Sequence, residues 1–284
     1  MNIGFIGLGT MGYHLAGYLS KSTHNITVYN RNENKAQKWV SEYTGSKALT
    51  ISDLAKECEV IFTCVGNDND LNEVILEVLK TARPNTIIVD HTTTSFQMAK
   101  HANNLCNKNN CSFIDAPISG GEQGAINGNV TIMAGGKDKI FTQIKPLLSF
   151  YSNSIVLMGD NGYGQLTKMV NQICIAGILQ GLSEGLSLAK KANLDIDKLV
   201  NTLKNGAAGS WQLENRAKTM SKNQFDFGFK IDWMRKDLGF CLDYAKQNNL
   251  ELPLTKQVDE HYELLQNQGF NLMDTSVLIK QFDN

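Results

Sequence analysis

The sequence predicts an α/β domain built on a doubly wound parallel sheet, followed by an all-α domain that a long helix links to it. Three observations support this fold class. Short runs rich in Ile and Val alternate with helical segments through the first half of the chain. A glycine-rich turn follows the first of these runs, and after about Gly164 the β-like runs stop. Alternation of strands and helices requires crossover connections, which produce a parallel sheet covered on both faces.

The predicted strands are short, rich in branched apolar side chains and flanked by Gly, Asn or Asp; they cover residues 3–6, 26–29, 60–65, 87–90, 112–115 and 130–134. The helical segments between them have apolar residues at helical spacing and cover residues 12–20, 35–42, 51–56, 71–80, 96–108 and 137–150. Together these elements form a predicted N-terminal domain of residues 1–162.

A continuous helical pattern then covers residues 165–192, which corresponds to about 40 Å of helix. We expect it to run from the first domain into a second, all-helical domain of residues 163–284, with four or five further helices. Gly177, Gly181 and Gly185 recur at every fourth residue of this helix. Each glycine lowers helix propensity by about 1 kcal/mol. This cost favours close approach of another helix, or of a partner subunit, over simple tolerance of glycine.

Composition and charge exclude several function classes. The formal net charge is −1, so no overall field attracts nucleic acid or an anionic membrane. The longest apolar-leaning run, residues 172–188, contains polar side chains and predicts no membrane span. The 6 cysteines are scattered without zinc-site spacing, which indicates reduced thiols and no metal. Because the first predicted strand begins almost at Met1, we expect no targeting segment and a cytoplasmic location.

A glycine motif lies between the first predicted strand and the first predicted helix, where a GxGxxG pattern has a mechanical meaning. The first glycine permits a tight bend, and the second lets the backbone reach a pyrophosphate. The third lets the helix pack closely on the strand, with the helix N-terminus facing the negative charge. The sequence therefore predicts a dinucleotide site formed by Gly7, Leu8, Gly9, Thr10, Met11 and Gly12.

The end of the second predicted strand distinguishes the two nicotinamide dinucleotides. An NAD site usually has Asp or Glu there, which binds the ribose 2′-hydroxyl. This chain has Asn30, Arg31 and Asn32 instead, and a guanidinium can bind a 2′-phosphate through two N–H groups. The sequence therefore predicts NADP as the cofactor in preference to NAD.

Two further segments contain residue types that suit chemistry on a small acid. Ser119, Gly120 and Gly121 can offer a hydroxyl and bare backbone N–H groups to a carboxylate, although a structural loop explains them equally well. Lys168 and Asn171 are three residues apart and share one helix face. An ammonium group can donate a proton to a carbonyl oxygen, but an unperturbed lysine pKa is about 10.4 and its surroundings would have to lower it. By itself, a single lysine on a helix indicates only a solvated side chain.

Four segments, in this order and spacing, resemble those of the β-hydroxyacid dehydrogenase family. They are the glycine turn GFIGLGTMG, the loop DAPISGGEQGAINGNVTIMAGG, the segment GYGQLTKMVNQ and the segment MRKDL. The family includes 3-hydroxyisobutyrate dehydrogenase, tartronate semialdehyde reductase and the glyoxylate/succinic semialdehyde reductases. The resemblance covers essentially the whole chain and implies a Rossmann-type N-terminal domain joined to an all-α C-terminal domain by the long helix.

The resemblance also implies roles for individual residues. Lys168 matches the catalytic lysine of the family, and Asn171 matches the neighbouring asparagine that holds the substrate. The segment Ser119–Gly120–Gly121 matches the loop that binds the substrate carboxylate. The remaining matches are cofactor positions, namely Val65, Gly66, Asp70 and Thr93 on the nicotinamide half, and Lys236, which closes over the cofactor from the helical domain. Departures from the commonest pattern at Val65, Gly66 and Gln172 leave the substrate open, but not the type of reaction.

The resemblance therefore implies a metal-free, NADP-dependent enzyme that interconverts a small β-hydroxyacid and its semialdehyde or ketoacid, assembled as a homodimer or homotetramer. Imine reductases resemble this fold but typically lack the lysine at the Lys168 position. A non-catalytic NADP-binding interaction module would also tend to lose that lysine. The related 6-phosphogluconate dehydrogenase is much longer, and this chain lacks a basic cluster downstream of Ser119 for a substrate phosphate. Succinic semialdehyde, tartronate semialdehyde, glyoxylate and methylmalonate semialdehyde all stay open as substrates.

Overall fold

The computed structural model describes residues 1–282, and the chain divides into two compact units, one of Met1–Lys168 and one from Met169 onward. The first unit contains a six-stranded sheet of β1 (Asn2–Ile6), β2 (Asn25–Tyr29), β3 (Ser46–Lys47), β4 (Val60–Thr63), β5 (Ile87–Asp90) and β6 (Ser112–Asp115). All its neighbouring strands are parallel, in the order β3-β2-β1-β4-β5-β6. This is the doubly wound order, so the predicted fold class is confirmed.

Helices cover both faces of this sheet: α1 (Gly12–Leu19), α2 (Glu33–Glu42), α3 (Ile51–Glu57), α4 (Asp68–Leu79) and α5 (Phe96–Lys108). Alternate residues of a strand point to opposite faces. In β4, Val60 and Phe62 accordingly belong to one buried cluster and Ile61 to another. The first cluster includes side chains of α1 and α2, and the second includes side chains of α3, α4 and α5. The near-continuous apolar character of the strands follows from this burial on both faces.

Side-chain caps fix where four of these helices begin. Asn32, Thr50, Asn67 and Ser95 each accept a hydrogen bond from a backbone N–H in the first turn of the following helix. The caps place the start of α2 at Glu33 and the start of α4 at Asp68, slightly earlier than the apolar periodicity predicts. Short polar side chains at these positions thus decide the helix boundaries.

A second sheet in the first unit contains β7 (Ile118–Ser119), β8 (Val130–Ala134) and β9 (Ser152–Leu157), in that order. The prediction that residues 130–134 belong to the parallel sheet was wrong, because β8 pairs antiparallel with β7 and parallel with β9. The helix between β7 and β8, α6 (Gly121–Ile126), has 6 residues. It is too short for a parallel crossover, so the chain turns back beside β7. A longer helix, α7 (Asp138–Leu148), connects β8 to β9.

The long helix, α8, spans Tyr163–Lys191, so its predicted length is confirmed. The division between the two units falls within α8, whereas the sequence analysis placed the domain boundary at its start. The second unit continues with α9 (Ile196–Leu203), α10 (Trp211–Ser221), α11 (Ile231–Gln247), α12 (Pro253–Asn267) and a 3-10 helix (Thr275–Phe282). Leu179 of α8 lies in its buried core with Met220, Leu238 and Tyr262 from three of the later helices.

Candidate functional site

The glycine turn leaves β1 at Ile6 and enters α1 at Gly12. Gly7 has φ +98°, and a Cβ atom there would lie 2.2 Å from the Cys64 carbonyl oxygen. The Gly7 N–H donates to the Tyr29 carbonyl oxygen over 2.9 Å. The turn therefore fits between the ends of β2 and β4 only because its first residue has no side chain.

The N-terminus of α1 is shaped to receive an anionic group. A Cβ atom on Gly12 would lie 2.1 Å from the Gly7 carbonyl oxygen, so helix and turn lie too close for a side chain. Met11, the N-cap residue, has no side-chain oxygen that could cap the first helical N–H groups. A Cβ atom on Gly9 would have no atom within 4 Å. Open space at Gly9, beside the backbone N–H groups of a helix N-terminus, fits the pyrophosphate of a dinucleotide.

Asn30 and Asn32 support this turn from the end of β2. Asn30 Oδ1 accepts from the Leu8 N–H over 2.9 Å, and Asn30 Nδ2 donates to the Asn32 carbonyl oxygen over 3.0 Å. Asn32 Oδ1 accepts from the Asn34 N–H at the start of α2. The Leu8 side chain is buried and the Thr10 side chain is exposed. Asn30 therefore fixes the shape of the turn, a role that the sequence analysis did not assign to it.

Arg31 extends into solvent next to this support. Its side chain is 76% exposed, and its Nη2 atom forms a 3.1 Å ion pair with Asp70 Oδ1. Asp70 lies in the first turn of α4, where its N–H donates to the Asn67 cap. The structure thus brings together two residues that the sequence analysis assigned separately to the cofactor.

Val65, Gly66 and Thr93 follow the carboxyl ends of β4 and β5, which are neighbours in the sheet. The Val65 N–H donates to Thr92 Oγ1 over 3.0 Å, and this hydroxyl donates to Asp90 Oδ1 over 2.6 Å. Thr92 is buried. Its hydroxyl therefore connects the two loops that the sequence analysis assigned to the nicotinamide half of the cofactor.

Two buried carboxylates lie at paired positions at the ends of β5 and β6. Asp90 and Asp115 are register partners. Burial raises the pKa of Asp90 to about 7 and that of Asp115 to about 6, although hydrogen bonds donated to each carboxylate act in the opposite direction. Neither residue had a predicted role, because an acidic residue at a strand end resembles an ordinary turn residue.

Lys168 lies on α8 with its side chain buried. Its Nζ atom donates to the Ile118 carbonyl oxygen over 2.9 Å, directly before Ser119 in the chain. Gly120 (φ +131°) and Gly121 (φ +60°) then lead from β7 into α6. The structure therefore places the amine next to the segment that the sequence analysis assigned to the substrate carboxylate.

Asp115 fixes the start of α8 in the first unit. Its Oδ1 accepts from the Gly162 N–H over 2.7 Å, and its Oδ2 accepts from the Gln165 N–H over 3.1 Å. Negative charge at a helix N-terminus is favourable, because the first helical N–H groups have no partner within the helix. The strand end that leads into the Ser119 segment thus also holds the helix that carries Lys168.

Asn171 and Lys236 both lie in the second unit, on α8 and α11 respectively. Asn171 Nδ2 donates to Gln172 Oε1 over 2.8 Å, and Gln172 Nε2 donates to Asp237 Oδ2 over 2.7 Å. Lys236 Nζ forms a 3.2 Å ion pair with Asp237 Oδ1. Two residues that the sequence analysis assigned to different ligands are thus joined through Gln172 and Asp237, which are both buried.

No group of three or more His, Cys, Asp or Glu residues within 1–282 is arranged to hold a metal ion. All 6 cysteines are free thiols. Over the same described residues, no helix combines the length and the apolar character needed to cross a membrane.

The chain matches two family models. Residues 2–159 match the NAD binding domain of 6-phosphogluconate dehydrogenase, and residues 162–282 match a model described as NAD-binding of NADP-dependent 3-hydroxyisobutyrate dehydrogenase. With the doubly wound sheet and the glycine turn, these matches define an NAD(P)-dependent oxidoreductase that acts on CH–OH groups.

Individual relatives extend over the whole length of the chain. An uncharacterized oxidoreductase of Shewanella frigidimarina is 49% identical over 99% of this chain and 98% of its own length. The 2-hydroxy-3-oxopropionate reductase of Escherichia coli is 33% identical over 100% of this chain and 97% of its own. The fold is also that of 3-hydroxyisobutyrate dehydrogenase from Mycobacterium tuberculosis, solved with L-serine, at a TM-score of 0.91 and 24% identity over 100% of this chain and 99% of the other. The chain belongs to the β-hydroxyacid dehydrogenase family, as a member of the 3-hydroxyisobutyrate dehydrogenase type, and the predicted resemblance is confirmed.

Proposed function

We propose that this protein is an NADP-dependent enzyme that interconverts a short semialdehyde or ketoacid and its β-hydroxyacid, with Lys168 as the general acid and base. One observation carries this proposal: a buried lysine amine lies 2.9 Å from the carbonyl oxygen of Ile118, directly before the Ser119–Gly121 segment. A buried amine beside bare backbone N–H groups is suited to a substrate that has both a carboxylate and a carbonyl group.

In the proposed reaction, the Ser119 hydroxyl and the N–H groups of Gly120 and Gly121 bind the substrate carboxylate. Asn171, three residues after Lys168 on α8, donates a hydrogen bond that orients the carbonyl group. The Lys168 ammonium donates a proton to the carbonyl oxygen during reduction, and the neutral amine accepts the hydroxyl proton during oxidation. NADP(H), when bound, supplies or accepts the hydride.

We propose NADP over NAD because of Arg31. The end of β2 has no acidic residue between Tyr29 and Asn32 to bind a ribose 2′-hydroxyl. The exposed guanidinium can bind a 2′-phosphate with two N–H groups, and its contact with Asp70 already holds it beside the start of α4. The glycine turn at Gly7–Gly12 would hold the pyrophosphate, and Lys236 stays a proposed cofactor contact of the second unit.

We also propose that the assembled enzyme is a homodimer or homotetramer, formed along α8. Val170, Ile178 and Leu188 of this helix are exposed by 60%, 41% and 68%. Among the described residues 1–282, Cβ atoms added at Gly181 and Gly185 would have no atom within 4 Å apart from the nearby backbone of α8 itself. Exposed apolar residues interleaved with glycine suit close packing against the same helix of a second copy.

The first test is a substrate panel of succinic semialdehyde, tartronate semialdehyde, glyoxylate and methylmalonate semialdehyde, each assayed with NADPH and NADH. We expect turnover of at least one member with NADPH as the preferred cofactor. The 33% identity to the 2-hydroxy-3-oxopropionate reductase of Escherichia coli supports the inclusion of short oxo acids in the panel. Absence of turnover across the panel with both cofactors would contradict the proposed function.

The second test replaces the proposed acid. We expect Lys168→Ala to lower kcat at least about 100-fold, the usual contribution of a positioned proton donor, with NADPH affinity retained. Stopped-flow or steady-state assays measure kcat, and the fluorescence of bound NADPH measures affinity. Lys191→Ala, at the exposed end of the same helix, is the matched control and should retain kcat. Near-normal turnover by Lys168→Ala would show that another group transfers the proton.

A further inference from the structure

Gln165 connects α8 to the loop after β5. Its side chain is fully buried. Its Nε2 atom donates to the Thr92 carbonyl oxygen over 2.8 Å, and its Oε1 atom accepts from the Thr94 N–H over 3.1 Å. These two hydrogen bonds, the Gln165 bridge, flank Thr93 on both sides. The amide side chain thus pairs with the loop in the manner of a neighbouring strand.

The backbone of Gln165 is fixed at the same time. Its N–H donates to Asp115 Oδ2 over 3.1 Å, at the end of β6. The loop that it holds is fixed independently, because the Thr92 hydroxyl donates to Asp90 and accepts from the Val65 N–H. The Gln165 bridge therefore joins the carboxyl ends of β4, β5 and β6 to the first turn of α8.

We propose that Gln165 is a positioning residue that sets the distance between the Lys168 amine and the loop at Thr93. The inference rests on the proposed function, in which Lys168 transfers the proton, and on the predicted position of Thr93 at the nicotinamide half of the cofactor. Gln165 and Lys168 are three residues apart on α8, so their side chains lie on the same face of the helix. A shift of the helix against the loop would therefore displace the amine from the reacting carbonyl.

Glutamine suits this position for a chemical reason. The amide offers a donor and an acceptor side by side at every pH in which the enzyme is folded, matching the carbonyl oxygen of Thr92 and the N–H of Thr94. Methionine has a similar length but neither group, and glutamate when ionised has acceptors alone. Gln165→Met therefore removes both hydrogen bonds at every pH, whereas Gln165→Glu removes the donor only when the carboxyl group is ionised.

Gln165→Met should lower kcat by about 10- to 100-fold, since a misplacement of about 1 Å can cost that much in a reaction that depends on orientation. The dissociation constant of NADPH should change by less than about threefold, because the pyrophosphate and 2′-phosphate contacts lie elsewhere. A deuteride at C4 of NADPH should give a larger isotope effect than in the wild-type enzyme, since hydride transfer becomes slower relative to product release.

Gln165→Glu should respond to pH. A protonated carboxylic acid restores both hydrogen bonds, whereas a carboxylate would turn an acceptor toward the Thr92 carbonyl oxygen. Burial at this position should raise the pKa of a glutamate there above its usual value of about 4.3, as should the carboxyl groups of Asp90 and Asp115, whereas the Lys168 ammonium acts in the opposite direction. We expect burial to be the larger effect. The kcat ratio of Gln165→Glu to wild type should therefore increase as pH falls from about 8 to about 5, while the Gln165→Met ratio stays flat. The wild-type reference at each pH accounts for titration of Asp90 and Asp115 themselves.

Gln180→Met provides the matched control. Gln180 is also a buried glutamine of α8, but its hydrogen bonds are to Glu184, His261 and Gln281 in the second unit. The two methionine variants should lose similar thermal stability, and only Gln165→Met should lose kcat. Equal loss of kcat in both variants at matched loss of Tm would overturn the positioning role.

Hydrogen exchange of the Thr94 amide, measured on the intact enzyme, separates this inference from the proposed function. Exchange should accelerate in Gln165→Met and stay unchanged in Gln180→Met, and unchanged exchange in both would overturn the Gln165 bridge itself. Faster exchange with normal kcat would overturn its positioning role. If wild-type enzyme turned over no member of the substrate panel, the proposed function would fail and the positioning role with it, whereas the exchange difference would persist.

Discussion

Burial shifts the pKa values of two neighbouring residues in the first unit in opposite directions. Burial raises the pKa of Asp90 to about 7, and it lowers the pKa of His91 to about 4. His91 Nδ1 and Nε2 lie within 2.7 Å and 2.9 Å of the Ala116 carbonyl oxygen and the Tyr151 hydroxyl, so the neutral ring is held at both nitrogens. As pH rises from about 4 to about 6.5, Asp90 therefore lowers the stability of the wild type, as Asp115 does, whereas His91 increases it.

Asp90→Asn isolates one of these contributions. With a raised pKa, folded Asp90 keeps a proton that the unfolded chain releases, so its stabilising contribution is complete below about pH 4 and is lost as pH rises through about 7. The free energy of unfolding of Asp90→Asn minus that of wild type should therefore increase from pH 4 to pH 8. Urea unfolding at a series of pH values measures this difference, and a constant difference would contradict the expectation.

Arg31→Asp tests the cofactor assignment at the scale of one side chain. We expect the ratio of kcat/KM with NADPH to kcat/KM with NADH to fall at least about tenfold, because hydrogen bonds to a charged group contribute about 1.5–3 kcal/mol. Arg83→Asp is the matched control, since Arg83 is also exposed and ion-paired, with Glu57. A variant of Arg31 that retained the wild-type ratio would exclude this residue as the 2′-phosphate contact.

Some features of the candidate site could be predicted from the sequence, and others depend on long-range contacts that only the structure shows. The glycine turn could be predicted because each position is set by local backbone geometry, as the close approach of Gly7 and Cys64 illustrates. The Gln172–Asp237 hydrogen bond could not, because it joins residues that are 65 positions apart and depends on how α8 packs against α11. Asn30 was predicted to contact the cofactor, and its hydrogen bond from the Leu8 N–H shows that it also supports the turn.

At the scale of elements, strands with strong apolar patterns were predicted within a residue or two, whereas the short edge strand β3 and the second-sheet strands β7 and β9 were missed. β7 is 2 residues long, and the partly exposed β9 contains the polar residues Ser152, Asn153 and Ser154. Both strands depend on pairing with β8, a long-range contact that no local pattern reports. Secondary structure that is stabilised mainly by its partner is the part of the fold that sequence periodicity leaves out.

One carboxylate ties three elements of the second unit together. Asp274 precedes the 3-10 helix and accepts hydrogen bonds from Arg216 of α10, from the Phe229 N–H before α11, and from Ser276. Gly228 (φ +71°) lies against it, and a Cβ atom there would lie 2.0 Å from Asp274 Oδ2. The loop before α11 therefore depends on both residues.

Gly228→Ala should destabilise the second unit by about 2–4 kcal/mol, the sum of left-handed backbone strain and displacement of a buried carboxylate. Gly269→Ala is the matched control, because Gly269 also has positive φ (+87°) but nothing within 4 Å of an added Cβ. We expect a cost of about 1 kcal/mol for the control. Urea unfolding followed by tryptophan fluorescence measures both, and equal losses would show that Asp274 relaxes without cost.

At the scale of the whole molecule, the exposed face of α8 determines the expected assembly. Two-fold symmetric interfaces bring the same residues of both copies together. A positive charge introduced at the centre of such a face is therefore repeated on the partner, and the two copies repel each other. At Gly181 and Gly185 an added Cβ atom would have no atom of the described residues within 4 Å outside the nearby backbone of α8.

We expect the wild type to sediment as a dimer or tetramer, and Gly185→Lys to shift the protein toward the monomer mass of 31.4 kDa. Leu264→Lys, on the exposed face of α12, is the matched control and should leave the assembly intact. Analytical ultracentrifugation at several concentrations measures the mass. A monomeric wild type would contradict the proposed assembly, and a Gly185→Lys variant that stayed associated would exclude this face of α8.

Because Arg31 is already paired with Asp70, an anion that binds Arg31 has to displace the Asp70 carboxylate. Exposed ion pairs contribute about 0–1 kcal/mol, so a phosphate can displace Asp70 at small cost, whereas weakly binding anions such as chloride compete poorly with a carboxylate already 3.1 Å away. Added salt weakens both the Arg31–Asp70 contact that is broken and the Arg31–phosphate contact that is formed. The affinity for a phosphorylated ligand at Arg31 should consequently depend less on ionic strength than the charge of the phosphate alone would suggest.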